Sequence, residues 1–202
     1  MDDLQTLGAQ VRACQACRLA RGRTHAVPGS GSPQAEILFI GEAPGFHEDQ
    51  QGLPFVGAAG QFLDQLLQSI SLTRQQVYIA NVIKCRPPNN RDPQPDELEA
   101  CRPYLDRQIA LIKPKIIVTL GRISMQLAFP GASISQIHGN PLRIGDITYF
   151  PMFHPAAALH QPRYRTMIEQ DMLRLPGLLA EIKAGQQPPA AEPSHPEQLS
   201  LF

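Results

Sequence analysis

A chain of 202 residues with 43% apolar content is long enough to bury one sizeable core, and its 18 Lys+Arg balance its 18 Asp+Glu. A formal charge of zero argues against a protein that coats nucleic acid by bulk electrostatics, although a neutral sum is compatible with a polarised surface. No run of about 18 apolar residues occurs, which excludes a membrane-spanning helix.

The chain opens with Met1-Asp2-Asp3-Leu4, acidic and then amphipathic, with neither the basic n-region nor the apolar h-region of a secretory leader. A cytoplasmic protein with reduced cysteines is expected. The first cysteine pair, Cys14-x2-Cys17, lies among Arg12, Arg18, Arg21 and Arg23. Glu36–Ile40 then reads as a buried strand ending in the loop-forming run Gly41-Glu42-Ala43-Pro44-Gly45, followed by acids at Glu48 and Asp49. Between Ala58 and Ile70, residues Phe62, Leu63, Leu66, Leu67 and Ile70 share one helical face.

A second strand spans Val77–Asn81 and leads into Lys84, Cys85, Arg86 and Arg91, with Pro87, Pro88, Pro93 and Pro95 stiffening that loop. The next helix begins at Pro95 with Asp96 as its expected cap and puts Leu98, Cys101, Leu105, Ile109 and Ile112 at helical spacing. Lys115–Leu120 and Ile147–Met152 complete the strand set. Strands alternating with helices predict a three-layer α/β/α domain with a central, mainly parallel four-stranded sheet, whose ligands bind beyond the strands' carboxyl ends. Those ends bring Glu42, Asn81, Gly121 and His154 to a single edge. From Gly185 to Pro196 the composition turns to Gln, Pro, Ala and Glu, so the folded domain is expected over 1–183, with 184–202 a disordered tail.

The four cysteines admit three readings. Disulfides need an oxidising compartment, for which the N-terminus gives no sign. Zinc usually takes two closely spaced pairs, and Cys85 and Cys101 are too far apart for a knuckle, whereas an iron–sulfur cluster tolerates irregular spacing. Spacing alone leaves zinc, a cluster and unligated core cysteines open.

Four segments taken in order decide more. Gly41-Glu42-Ala43-Pro44-Gly45, Gly52-Leu53-Pro54-Phe55-Val56-Gly57, Asn81-Val82-Ile83-Lys84-Cys85-Arg86-Pro87-Pro88-Asn89-Asn90-Arg91 and Pro151-Met152-Phe153-His154-Pro155 resemble the successive motifs of the family 4 uracil-DNA glycosylases. The resemblance runs from Cys14 to about Leu175 and implies that Cys14, Cys17, Cys85 and Cys101 hold a [4Fe–4S] cluster. It also implies a bacterial base-excision repair enzyme, monomeric and acting on uracil-containing DNA, that hydrolyses the deoxyuridine N-glycosidic bond without metal chemistry. The uracil-binding set would be Glu42, Ala43, Glu48, Phe55, Asn81 and His154, with His154, Glu42 and Asn81 catalytic.

The residue types suit those roles. An extruded base must be gripped on its face and its Watson–Crick edge. Phe55 supplies a stacking surface, and the Asn81 amide carries one donor and one acceptor side, matching uracil O4 and N3–H and opposing cytosine. His154 would stabilise the charge that builds on uracil O2 as the bond breaks. Glu48 would wall off the C5 position that carries thymine's methyl.

Departures from the family pattern are equally informative. Ala43 stands where better-known relatives place a water-orienting aspartate, and Phe46-His47 replaces a pair that is often acidic. The rival readings are a neighbouring glycosylase family with wider base specificity, a covalently trapped variant, whose marking insertion does not occur between Asp64 and Asn81 or just beyond it, and a non-catalytic iron–sulfur module that binds DNA and the clamp. DNA contacts are expected from Lys84, Arg91 and Arg163, with Leu159 as the candidate wedge. Gln198-Leu199-Ser200-Leu201-Phe202 resembles the pentapeptide by which bacterial repair proteins dock on the β sliding clamp, and Gln198, Leu199, Leu201 and Phe202 are its expected contacts.

Overall fold

The computed structural model describes residues 3–185. Its centre is a six-stranded sheet built from β1 (Ser30–Gly31), β2 (Ile37–Gly41), β3 (Tyr78–Asn81), β4 (Ile116–Leu120), β5 (Leu142–Ile144) and β6 (Ile147–Met152), in the order β1-β3-β2-β4-β6-β5. The four middle strands are parallel, as the sequence predicts. Two antiparallel edges, β1 on β3 and β5 on β6, extend the expected sheet. They are two and three residues long, too short for any periodicity to announce them.

Every residue of β2 and β4 is buried, the pattern of strands covered on both faces. Alternation sorts them: Ile37 and Phe39 face one core, Leu38 and Ile40 the other. The first core is closed by α3 (Ala58–Ser69) through Phe62, Leu63, Leu66 and Leu67, and by α8 (Pro162–Lys183) through Ile168, Met172 and Leu175. The second is closed by α4 (Pro95–Ile112) through Leu105 and Ile112, with Leu4 of α1 (Leu4–Ala13) packed against it. The result is the three-layer α/β/α arrangement.

Local chemistry sets the helix ends. Gln94, not Asp96, caps α4, since its N–H donates to the Glu97 carboxylate at 2.8 Å while Pro95 starts the helix with no N–H to leave unpaired. Asp96 instead meets Arg18. At the far end of α8, Lys183 reaches Glu36 at 2.5 Å, and Lys115 reaches the same carboxylate at 2.9 Å, fastening the last helix to the starts of β2 and β4. Between the cores and the chain's first helix, Val11, Leu19, Ala26, Ile83, Cys85 and Cys101 form a third, smaller cluster. Among the described residues no helix is long and apolar enough to cross a membrane.

Chain order leaves β2 flanked by β3 on one side and β4 on the other, so connections depart in opposite directions around it. That reversal opens a crevice at the carboxyl edge, where ligands of open α/β sheets bind.

Candidate active site

The crevice is a cavity of about 360 Å³ lined among others by Glu42, Ala43, Glu48, Phe55, Asn81 and His154. All six residues expected from sequence to hold the base therefore meet in one place. Gly41 pairs with Asn81 in the β2–β3 register, and any side chain at Gly41 would collide with the Asn81 Oδ1 and the Phe55 ring, at 2.5 and 2.6 Å from an added Cβ. Glycine there lets ring and amide close over the strand end.

Asn81 is 2% exposed, and its Oδ1 is buried without a hydrogen-bond partner. An orphaned buried acceptor costs about 1–3 kcal/mol, so its persistence points to a donor that arrives from outside.

Phe55 sits in the left-handed region, with φ of 52°, a conformation that disfavours a bulky side chain. Two contacts impose it. Gly60 of α3 presses against this turn so closely that an added Cβ would lie 1.8 Å from the Phe55 carbonyl oxygen. Arg74, held by Asp64 at 2.5 Å, donates to the carbonyls of Pro54 (2.9 Å), Phe55 and Gly60 (3.3 Å). The sequence reading missed both residues; Gly60 three places beyond the Gly57 of a motif, and an arginine before a strand, carry no signal of their own.

His154 begins α7 (Pro155–His160), and its Nδ1 accepts the N–H of Ala156 at 3.1 Å. An accepting Nδ1 puts the imidazole proton on Nε2. Burial lowers the pKa of His154 to about 4, partly opposed by the Glu48 carboxylate, so the ring is neutral at physiological pH. It lies nearly parallel to the Phe55 ring, at 28° with centroids 5.6 Å apart. Gly121, at φ of 92°, lets the β4 end approach the His154 side chain.

Glu48 differs from expectation in what its carboxylate touches. Oε1 accepts from Val56 and Gly57 N–H at 2.8 and 2.9 Å, and Oε2 from Gly45 N–H at 3.1 Å, so it ties the first motif loop to the Phe55 loop. Glu42 keeps a free role: burial raises its pKa, Asp92 adds to this and Arg122 opposes it.

The expected DNA contacts divide. Leu159 is 49% exposed on α7, and Arg163 is exposed with its guanidinium 4.7 Å over the Tyr164 ring. Arg91 lines the cavity while forking onto the buried Glu97 carboxylate at 2.6 and 2.8 Å. Lys84 does not reach the surface. It is 1% exposed, because its side chain turns inward to donate to the Asn81 carbonyl (2.7 Å) and to Gln108 Oε1 (2.6 Å), and burial lowers its pKa to about 8.

All four cysteines are free and line a second, small cavity with Tyr104 and Lys84. Three sulfurs accept N–H donors: Cys85 from Arg23 (3.0 Å), Cys101 from the Lys84 backbone (3.2 Å) and Cys14 from Ala16 (3.4 Å). Such donors suit thiolates bound to a metal centre. Burial pushes the Cys101 thiol up to about 11, a proton that only metal ligation would displace near neutral pH. Among the described residues no group of three or more His, Cys, Asp or Glu side chains has the arrangement of a site for a single metal ion.

Comparison with known proteins agrees with this geometry. The model of the uracil DNA glycosylase superfamily matches residues 28–173. The chain belongs to that superfamily. A type-4 uracil-DNA glycosylase of Sulfurisphaera tokodaii is 50% identical over 185 residues, covering 87% of this chain and 84% of its own. One from Archaeoglobus fulgidus is 43% identical over 184 residues, covering 87% and 92%. A type-5 uracil-DNA glycosylase of Thermus thermophilus is 32% identical over 158 residues, covering 69% and 70%. The higher identity and coverage place the chain in the type-4 branch and disfavour the neighbouring family as a reading.

Proposed function

We propose that the protein is a monofunctional uracil-DNA glycosylase of base excision repair, hydrolysing the N-glycosidic bond of deoxyuridine and leaving an abasic site. The observation that carries this reading is the unpartnered Asn81 Oδ1 beside Phe55 and His154. Uracil N3–H is the donor that acceptor lacks, whereas cytosine presents a lone pair at the same position.

Extrusion brings the base onto the Phe55 face, with its Watson–Crick edge on the Asn81 amide. Loss of the base leaves an oxocarbenium-like sugar and places negative charge on uracil O2. The neutral Nε2–H of His154 donates to that oxygen, and its stabilisation grows as the charge develops. With alanine at position 43, Glu42 holds the attacking water. Its raised pKa leaves it a better proton acceptor than an ordinary carboxylate. Glu48 acts through the loops it ties together. No lysine is among the residues that line the cavity, and Lys84, the nearest in the motifs, is committed to Asn81 and Gln108, which favours simple hydrolysis over a covalent intermediate.

Cys14, Cys17, Cys85 and Cys101 would hold a [4Fe–4S] cluster, which crosslinks the chain's first segment to the β3 loop and α4 through four thiolates. The clamp peptide Gln198, Leu199, Leu201 and Phe202 lies outside the described residues. Its support is the sequence match after a Pro-rich tether. A duplex and single-stranded oligonucleotide panel bearing U, T, C or hypoxanthine tests the central reading. Alkali-labile breaks are expected at U and not at T or C, and their absence at U would overturn it.

A further inference from the structure

The first motif loop ends in an exposed aromatic. Phe46, the first residue of α2 (Phe46–Gln51), directly follows the cavity-lining Gly45 and is 51% exposed. Only four large apolar side chains are exposed to this degree among the described residues, and Leu159 is another of them. The ring is not loose. The Arg86 guanidinium lies over it, 5.2 Å from its centroid, and the His47 ring meets it edge-on at 5.5 Å. Arg86 is itself fixed, its Nε donating at 2.7 Å to the Oδ1 of Asn90, a cavity-lining residue.

A phenylalanine backed by a fixed guanidinium beside a base-sized cavity has the makings of a stacking platform. Any nucleobase offers a π-face to such a ring, and the arginine brings positive charge next to the backbone phosphates. An extruded nucleotide also leaves its strand neighbours partly unstacked, so they gain from a replacement surface. We infer that Phe46, backed by Arg86, is a second base-binding site, which takes the nucleobase adjacent to the uracil in the same strand. This rests on the glycosylase reading above. It also gives physical content to the Phe46-His47 pair: two acids at this rim would repel the phosphates, and an aromatic face holds a base instead.

The test uses the full chain with single-stranded oligonucleotides in which 2-aminopurine replaces the base on either side of 2′-fluorodeoxyuridine, an uncleavable analogue. The parent should alter the fluorescence of one of the two positions on binding. Phe46→Ala should abolish that change and weaken binding by roughly five- to a hundredfold, the range for a lost base–aromatic stack. Phe46→Trp should retain both, which separates stacking from loop damage. Excision from a substrate whose flanking positions are abasic should be equal in the parent and Phe46→Ala. Equal affinity and fluorescence for the parent and Phe46→Ala, with uracil still excised, would overturn the platform alone. If the parent excises no uracil from any substrate, the glycosylase reading fails first.

Discussion

Arg74 offers the sharpest perturbation because its guanidinium clamps Phe55, a bulky pocket residue held in the left-handed region. Replacing it with methionine keeps the apolar stem and removes the donors to the carbonyls of Pro54, Phe55 and Gly60. A hydrogen bond from a charged group contributes about 1.5–3 kcal/mol, and carbonyls that water can partly re-solvate recover some of that loss. The Arg74 and Asp64 side chains are 27% and 39% exposed, so their mutual pairing adds little. Freed of the clamp, Phe55 would also tend to leave the left-handed region, which disfavours a non-glycine residue by about 1–2 kcal/mol. A destabilisation of about 3 kcal/mol should lower Tm by roughly 6–12 °C in a domain of this size.

The functional loss should exceed what stability alone predicts. A displaced Phe55 ring misplaces the base by an ångström or so, which can slow the chemical step by about a hundredfold. Single-turnover excision measured well below the variant's Tm reads that step directly. Asp64→Asn is the companion: it removes the ion pair and keeps the carbonyl contacts, so its rate should stay within about threefold of the parent. An Arg74→Met variant that is folded and excises uracil at the parental rate would show that Phe55 is positioned by something else.

Three further outcomes can be checked, two at the pocket and the cysteines and one on the C-terminal sequence. In the proposed mechanism His154 is a neutral donor, and with a pKa of about 4, below its ordinary 6.5, its contribution to single-turnover rates should be flat from about pH 5 to 8 and fail only as pH falls towards 4. The unfolded chain binds the proton first, so stability tied to this residue should be present above about 6.5 and decline as pH drops to 4, by at most about 3 kcal/mol. A rate lost as pH rises through 6.5 would instead identify the imidazolium as the acting species. Cys85→Ala should cost stability and iron content more than base choice, and stoichiometric zinc without iron in the parent would sink the cluster. Truncation at Gln187, or alanine at both Leu201 and Phe202, should abolish binding to a bacterial sliding clamp with activity on short oligonucleotides unchanged; unaltered clamp affinity would make the match accidental.

Much of the architecture was legible because its carriers are periodic. The four parallel strands are short apolar runs bounded by loop formers, and α3 and α4 show their buried faces at helical spacing. Glu42, Asn81 and His154 were legible because they fall at strand ends that a parallel sheet must bring together, whereas Glu48 and Phe55 were legible only through the motif resemblance. What stayed hidden depends on where long side chains turn. Lys84 reads as a basic loop residue, yet the Asn81 carbonyl and Gln108 draw its ammonium inward. Glu48 reads as a pocket wall, yet three backbone N–H groups occupy its oxygens. Arg74, 19 residues from Phe55, belongs to no recognisable pattern.

These hidden contacts share a consequence for catalysis. Three of the pocket's residues are held in place by protein partners: Glu48 by the two loops it joins, Phe55 by Arg74 and Gly60, and His154 by the N–H of Ala156 two residues on. Lys84 fixes the main chain at Asn81 by the same means, from beneath the strand. Little reorganisation then remains for the moment of reaction, which is where preorganised dipoles gain over water. The Asn81 Oδ1, by contrast, has no protein partner among the described residues. In the proposed pose the uracil N3–H meets that acceptor. In the same pose cytosine would set a lone pair against that acceptor, so the discrimination expected of the proposed site comes from the donor that uracil N3 carries and cytosine N3 lacks.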